Sequence, residues 1–273
     1  MAEILKDRYD TAYVARLAQV IQKIRPAFPE ARFQERVFDD HWADRELKAR
    51  MGHLAECLGA FLPKPPAAYA VLKEAAPSFD GFEAMFFPEF VALFGLEEWG
   101  SAMDALAWFT RYSSSEFAIR PFILRYPEKT MARMAAWARH ENKHVRRLAS
   151  EGCRPRLPWA MALPAFKRDP GPILPILESL KDDPEDYVRR SVANNLNDIS
   201  KDHPELVLDL AEKWSNADRA WLLKHACRTL LKAGHPRALE LFGFGGTMRC
   251  TVEHLTVTPD VLRIGDGASF SFQ

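Results

Sequence analysis

The chain has 273 residues, 48% of them apolar, enough to fill a sizeable core, and its 37 Lys and Arg are cancelled by 37 Asp and Glu. No apolar run is long enough to cross a membrane and the N-terminus is charged from Glu3, so neither a membrane span nor a signal peptide is expected, and a cytoplasmic protein is. The four cysteines Cys57, Cys153, Cys227 and Cys250 are far apart and form no CxxC or Cys/His cluster, which speaks against a disulfide framework and a zinc site and for buried, reduced thiols.

In chain order, the first third reads as helix after helix. Val14, Leu17, Ala18 and Ile21 recur at helical spacing, and so do Leu47, Met51, Leu54, Leu58 and Phe61. The aromatic-rich stretch EAMFFPEFVALFG, 83–95, predicts a helix buried on most sides rather than a ligand box. Prolines, several placed where they would open a first helical turn, mark the breaks: Pro29, Pro63, Pro127, Pro155, Pro170, Pro184, Pro204 and Pro236 among them.

Charge is unevenly spread. Residues 1–110 carry a net −5, residues 111–190 a net +6, and residues 191–273 a net −1. A basic middle between compensating ends fits a local anion-binding face, and equally a solvated helical face.

The same middle repeats itself. VRRLASEG at 145–152 returns as VRRSVANNL at 188–196, each after a polar helix-start signal. A weaker copy, EFAIRPFI at 116–123, sets Ile119 and Arg120 in the Val-Arg positions, and AWLLKHACRTLLKAG at 220–234 keeps the period without arginines. The spacings of 26, 43 and 33 residues average 34, the length of a helix-pair repeat, with a proline-rich insertion near 152–172 lengthening one unit. The fold predicted is therefore all-α, an α-solenoid of HEAT-like repeats over 1–242. The tail, 243–273, changes to alternating apolar and polar residues with Pro-Asp and Gly-Asp-Gly turns, a β pattern. Two or three strands cannot bury a face alone, so they pack on the last helices or begin a β-sandwich that this chain does not complete, the latter favoured by the ending FSFQ.

The candidate chemistry lies on the repeats. Arg120, Arg146, Arg147, Arg189 and Arg190 open successive second helices, and with Arg154 and Arg156 they could line a groove for a nucleic-acid backbone, since the guanidinium fork donates in pairs to phosphate. The competing reading has them bridging neighbouring repeats through acids such as Glu141 or Asp186. Glu116, Glu151 and Asp198 are carboxylates out of place on a phosphate-binding face; they suit a site that stabilises a cationic intermediate or activates a water. Glu116, one helical turn before Arg120, could share its face or be a first-turn helix acid, Asp198 could be a helix-end polar residue, and Trp159 could be a packing anchor or a binding platform. GxSxG, P-loop and GxGxxG patterns are absent, and the histidines show no metal-ligand spacing, so no cofactor and no metal are expected.

The strings SSSEFAIRPF, HENKHVRRLASEGCRPRLPW and DYVRRSVANNLNDISKDHPELVL, in this order, resemble the HEAT-like-repeat DNA alkylation-repair glycosylases, closer to the AlkC branch than to the AlkD branch, most strongly over 97–240. The resemblance implies excision of N3-alkylated bases, 3-methyladenine and 3-methylcytosine, from double-stranded DNA by a monomer that grips the duplex without drawing the base into a pocket. It also implies Glu116 and Asp198 for water positioning and cation stabilisation, Trp159 for contact with the deoxyribose, and Glu151 as a weaker fourth, with Arg147 and Arg190 foremost among the phosphate contacts. The tail is similar to the start of the immunoglobulin-like domain that some AlkC members carry. A non-enzymatic HEAT scaffold binding protein or structured DNA is the rival that the residues alone leave open.

Overall fold

The computed structural model describes residues 5–244 and 251–273; the tail boundary expected at 242/243 borders residues outside that set, and Cys250 lies within them. The first unit comprises α1 (Thr11–Ile24), α2 (Glu30–Val37), α3 (Leu47–Phe61), α4 (Ala67–Ala75), α5 (Phe86–Phe94) and α6 (Trp99–Phe109). The Asp10 carboxylate caps α1 by accepting from the Tyr13 N–H at 2.7 Å, and the helix buries Val14, Leu17, Ala18 and Ile21, the four residues of its apolar stripe. The stretch at 83–95 forms α5, with Phe86, Phe87, Pro88, Phe90 and Val91 buried and the helix laid against α3 and α6, as a helix apolar on most sides must be.

The repeats follow: α7 (Arg120–Arg125), α8 (Pro127–Trp137), α9 (Lys143–Glu151), α10 (Pro164–Arg168), α11 (Leu174–Leu180), α12 (Asp186–Ile199), α13 (Pro204–Lys213), α14 (Ala220–Ala226), α15 (Arg228–Lys232) and α16 (Pro236–Leu241). Pro127, Pro164, Pro204 and Pro236 each occupy a first turn, where the missing N–H breaks no helical bond. Asn142 caps α9, accepting from the His144 N–H at 2.9 Å. α9 packs on α8, α11 and α12, and α12 in turn on α14, so that α9, α12 and α14 form one continuous row backed by α8, α11 and α13. Among the described residues one apolar core runs from Tyr9 to Ala238 and joins the first unit to the repeats. The proline-rich insertion between α9 and α11 holds only the short α10 and carries Trp159.

The tail forms an antiparallel hairpin, β1 (Thr256–Thr258) and β2 (Ser269–Ser271), pairing Thr256 with Ser271 and Thr258 with Ser269, and all of its residues are exposed. Cys57, Cys153 and Cys227 are buried free thiols, and burial pushes the Cys153 thiol up to about 12. Among the described residues no helix is long and apolar enough to cross a membrane.

Arg120 departs from the expected groove contact. It is wholly buried at the start of α7, donating Nε to the Met161 carbonyl at 2.6 Å and Nη1 to the carbonyls of Gly152 and Arg154 at 3.0 and 2.9 Å. It is a staple that ties α7 to the end of α9 and to the insertion, and it has no face left for phosphate. Burial lowers its guanidinium to about 10, which leaves it charged at neutral pH. The close approach also requires glycine at Gly152, where a Cβ would lie 2.6 Å from Ile119 Cγ2. Arg120→Met should therefore lower stability by ~3 kcal/mol or more, because buried carbonyls lose their donors, as read by the midpoint of urea unfolding.

Candidate functional site

The arginine pairs divide by their position in the pair. Arg146, the first of its pair, forks onto Asp183, Nε to Oδ2 at 2.6 Å and Nη2 to Oδ1 at 3.0 Å, and gives Nη1 to the carbonyls of His140 and Glu141. Arg189, its repeat equivalent, donates to the Asp183 carbonyl and to the Asp186 carboxylate. Arg120, Arg146 and Arg189 thus occupy one repeat position, and each makes its hydrogen bonds within the protein, although the buried Arg120 Nη2 has no partner; for these three the bridging reading fits the geometry. The next residue points about 100° further round the helix. That rotation turns Arg147 and Arg190 toward a different surface.

Arg147 donates Nη1 to Glu116 Oε2 at 2.7 Å and to Ser114 Oγ at 3.1 Å, while its Nη2 lies 3.5 Å from Glu151 Oε1. Glu151 Oε1 also receives Arg154 Nη1 at 2.6 Å, and its Oε2 receives Ser191 Oγ at 2.6 Å. Arg154 then donates Nε to Asp198 Oδ2 at 2.8 Å, and Lys201 Nζ reaches Asp198 Oδ1 at 3.2 Å. The three sequence-predicted acids are thereby brought into one chain of alternating charge: Glu116, Arg147, Glu151, Arg154, Asp198, Lys201. Burial works against the charge on Arg147 and Arg154, but their acids outweigh it, Glu151 first in both cases, and hold both above the ordinary arginine value. Arg154 is accordingly a buried bridge rather than a groove arginine. Glu116 pairs with Arg147 of the next repeat and not with Arg120, the partner that helical spacing suggested.

The acids differ in reach. The Glu151 and Asp198 side chains are 5% and 3% exposed with both oxygens engaged, whereas Glu116 is 15% exposed. Its Oε2 takes both Ser114 and Arg147, and its Oε1 has no hydrogen-bond partner among the described residues. Glu116 and Arg147 open into a recess of about 310 Å³ lined also by Phe82, Met85, Tyr112, His144 and Tyr187. Trp159, 62% exposed, does not line the recess but stands beside it, its indole meeting the lining residue Phe82 edge-on at 5.8 Å and 87°, and the Trp159 backbone is left-handed at φ 63°. Among the described residues no group of three His, Cys, Asp or Glu side chains is arranged to hold a metal ion.

Of the seven expected phosphate contacts, Arg190 is the one without a hydrogen bond or ion pair among the described residues. It is exposed, with its guanidinium 4.9 Å from the Trp221 ring centroid. Arg147 repeats that arrangement one unit earlier, 4.8 Å from the Tyr187 ring. Arg156 is half-buried and forks onto Asp202 at 2.6 and 3.2 Å. The aromatic partners Tyr187 and Trp221 escaped sequence reasoning although the signal was present: they hold the same repeat position as His144, directly before the Val or Leu of each copy. Phe82, from the first unit, carried no such signal.

A family model described as DNA alkylation repair enzyme matches residues 93–230. The chain is 44% identical over 271 residues to the uncharacterized protein YhaZ of Bacillus subtilis (strain 168), an alignment spanning 98% of this chain and 76% of that protein. It is 40% identical, with a TM-score of 0.86, to the Pseudomonas fluorescens alkylpurine DNA glycosylase AlkC bound to DNA containing an abasic site analog, over 100% of this chain and 76% of that one. The helical-repeat architecture, the family match and both likenesses agree, and the protein belongs to the DNA alkylation repair enzymes, on the AlkC side of that family.

Proposed function

We propose that this protein hydrolyses the N-glycosidic bond of N3-alkylated bases, 3-methyladenine and 3-methylcytosine, in duplex DNA, acting as a monomer and without enclosing the base. The observation that carries the reading is the Glu116 carboxylate, held by Arg147 and Ser114 through one oxygen and presenting the other to the recess beside Phe82 and Tyr187. An N3-alkylated base is cationic and leaves with the electrons of the C1′–N bond as a neutral heterocycle. The sugar is left as an oxocarbenium-like cation, which in this reading Glu116 stabilises from the recess and Glu151 and Asp198 stabilise through the field of the charge chain. Water oriented by Glu116 Oε1 then adds at C1′ and passes its proton to the carboxylate, completing hydrolysis to the abasic site. In this scheme Arg147 and Arg154 hold the acids in place, and Trp159 packs on the deoxyribose from the rim.

The duplex is held by fewer arginines than the sequence suggested. Arg190 offers a guanidinium plane fixed against Trp221 with every donor available, the arrangement suited to a phosphate pair. Arg156 adds a second contact where phosphate can exchange with Asp202 at a half-buried pair near the surface.

Glu116→Gln should bind duplex DNA as the wild type does, yet release 3-methyladenine at least about a hundredfold more slowly, scored by alkaline cleavage at the abasic site. Equal rates would remove Glu116 from the chemistry, and binding with no release by either protein would leave a DNA-binding solenoid that does not excise. Arg190→Ala should weaken binding to every duplex and reduce the slope of log affinity against log salt by about one. An unchanged slope would mean that Arg190 touches no phosphate.

A further inference from the structure

Trp159 reaches the rim on a strained backbone. Its φ of 63° lies in the left-handed region that bulky side chains rarely occupy, directly after Pro158 in a 20-residue insertion with little regular structure, 153–172. Such a turn needs a partner to hold it. The Trp159 carbonyl accepts a hydrogen bond at 2.7 Å from Lys48 Nζ, which arrives from α3, 111 residues earlier in the chain. The same ammonium lies 4.9 Å from the ring of Phe117, the neighbour of Glu116. Phe82, against which the indole stands, also comes from the first unit.

We infer that Lys48 is a positioning residue for Trp159: it clamps the carbonyl of the left-handed turn, so that the indole is held edge-on against Phe82, a wall of the recess that Glu116 also lines. The inference rests on the role proposed above for Trp159 and adds that the first unit, which carries none of the acids, fixes the angle of the rim. A lysine suits the task because its flexible stem spans from α3 to the insertion and its ammonium can satisfy the carbonyl and the ring face together. Being exposed, Lys48 could instead contact DNA phosphate, and the test separates the two.

Wild type, Lys48→Met, Lys48→Arg, Trp159→Ala and the Lys48→Met/Trp159→Ala double variant would be compared in single-turnover release of 3-methyladenine, with binding to undamaged duplex titrated against salt. Lys48→Met should slow release by about tenfold with an unchanged salt slope, Lys48→Arg should recover most of the rate, and Lys48→Met should add nothing to Trp159→Ala. Full activity of Lys48→Met, additive losses in the double variant, or a salt slope reduced by about one would overturn the inference. If Trp159→Ala slows release and Lys48→Met does not, the inference fails and the role of Trp159 stands; full activity of Trp159→Ala removes both. A readout independent of catalysis is the fluorine NMR resonance of fluorotryptophan-labelled protein, assigned to position 159 by its loss in Trp159→Phe. That resonance should shift or broaden in Lys48→Met and return in Lys48→Arg, and an unmoved resonance would sink the inference whatever the glycosylase assay gives.

Discussion

Three carboxylates cannot be gathered along one inner seam of a protein unless cations are interleaved with them, and that electrostatic requirement organises the site. Arg147 is shared by Glu116 and Glu151, Arg154 by Glu151 and Asp198, and Lys201 ends the series at Asp198. Each shared guanidinium lowers the cost of burying two acids at once. Such a network is at best neutral for stability when set against apolar packing of the same volume, so the fold alone gives no reason for it. What it provides is a set of carboxylates in a fixed geometry, of which Glu116 is the most exposed and lines the recess.

The same requirement decides how much of the basic middle remains for nucleic acid. Arg120, Arg146, Arg154 and Arg189 direct their hydrogen bonds to carboxylates and carbonyls of the protein itself, and that commitment competes with any phosphate. Arg190 remains because its neighbour in the next repeat is the face of Trp221 and not a carboxylate. An aromatic face holds a guanidinium in place without consuming its N–H groups, and this lets a repeat protein display a charge without neutralising it.

The first unit completes the site from the other side. Its helices carry no acid of the network, but α3 and the 82–85 turn supply Lys48 and Phe82 to the rim where Trp159 stands. The continuous core from Tyr9 to Ala238 gives those contacts a rigid base, since interiors packed at crystal density transmit position over long distances.

Local features were legible because their causes are local. The apolar stripe of α1, the buried α5, the prolines of the first turns and the recurrence of Val-Arg-Arg all follow from helical geometry read within a few residues of chain. Glu116, Glu151 and Asp198 stand out in the sequence as acids on a basic face, with Trp159 beside them; the roles expected of the four come from motif resemblance, and the tertiary structure draws the three acids into one network. The sequence by itself determined that this chain is a helical-repeat protein of the alkylation-repair family with acids set among arginines. Only the tertiary structure decided which arginine serves what: beyond the local Glu151 shared by Arg147 and Arg154, the partners Asp183 of Arg146, Glu116 of Arg147 and Asp198 of Arg154 lie 31 to 44 residues away on neighbouring repeats, and Lys48 meets Trp159 across 111. A guanidinium's role is set by the group that packing brings to it, and no periodicity along the chain encodes that encounter.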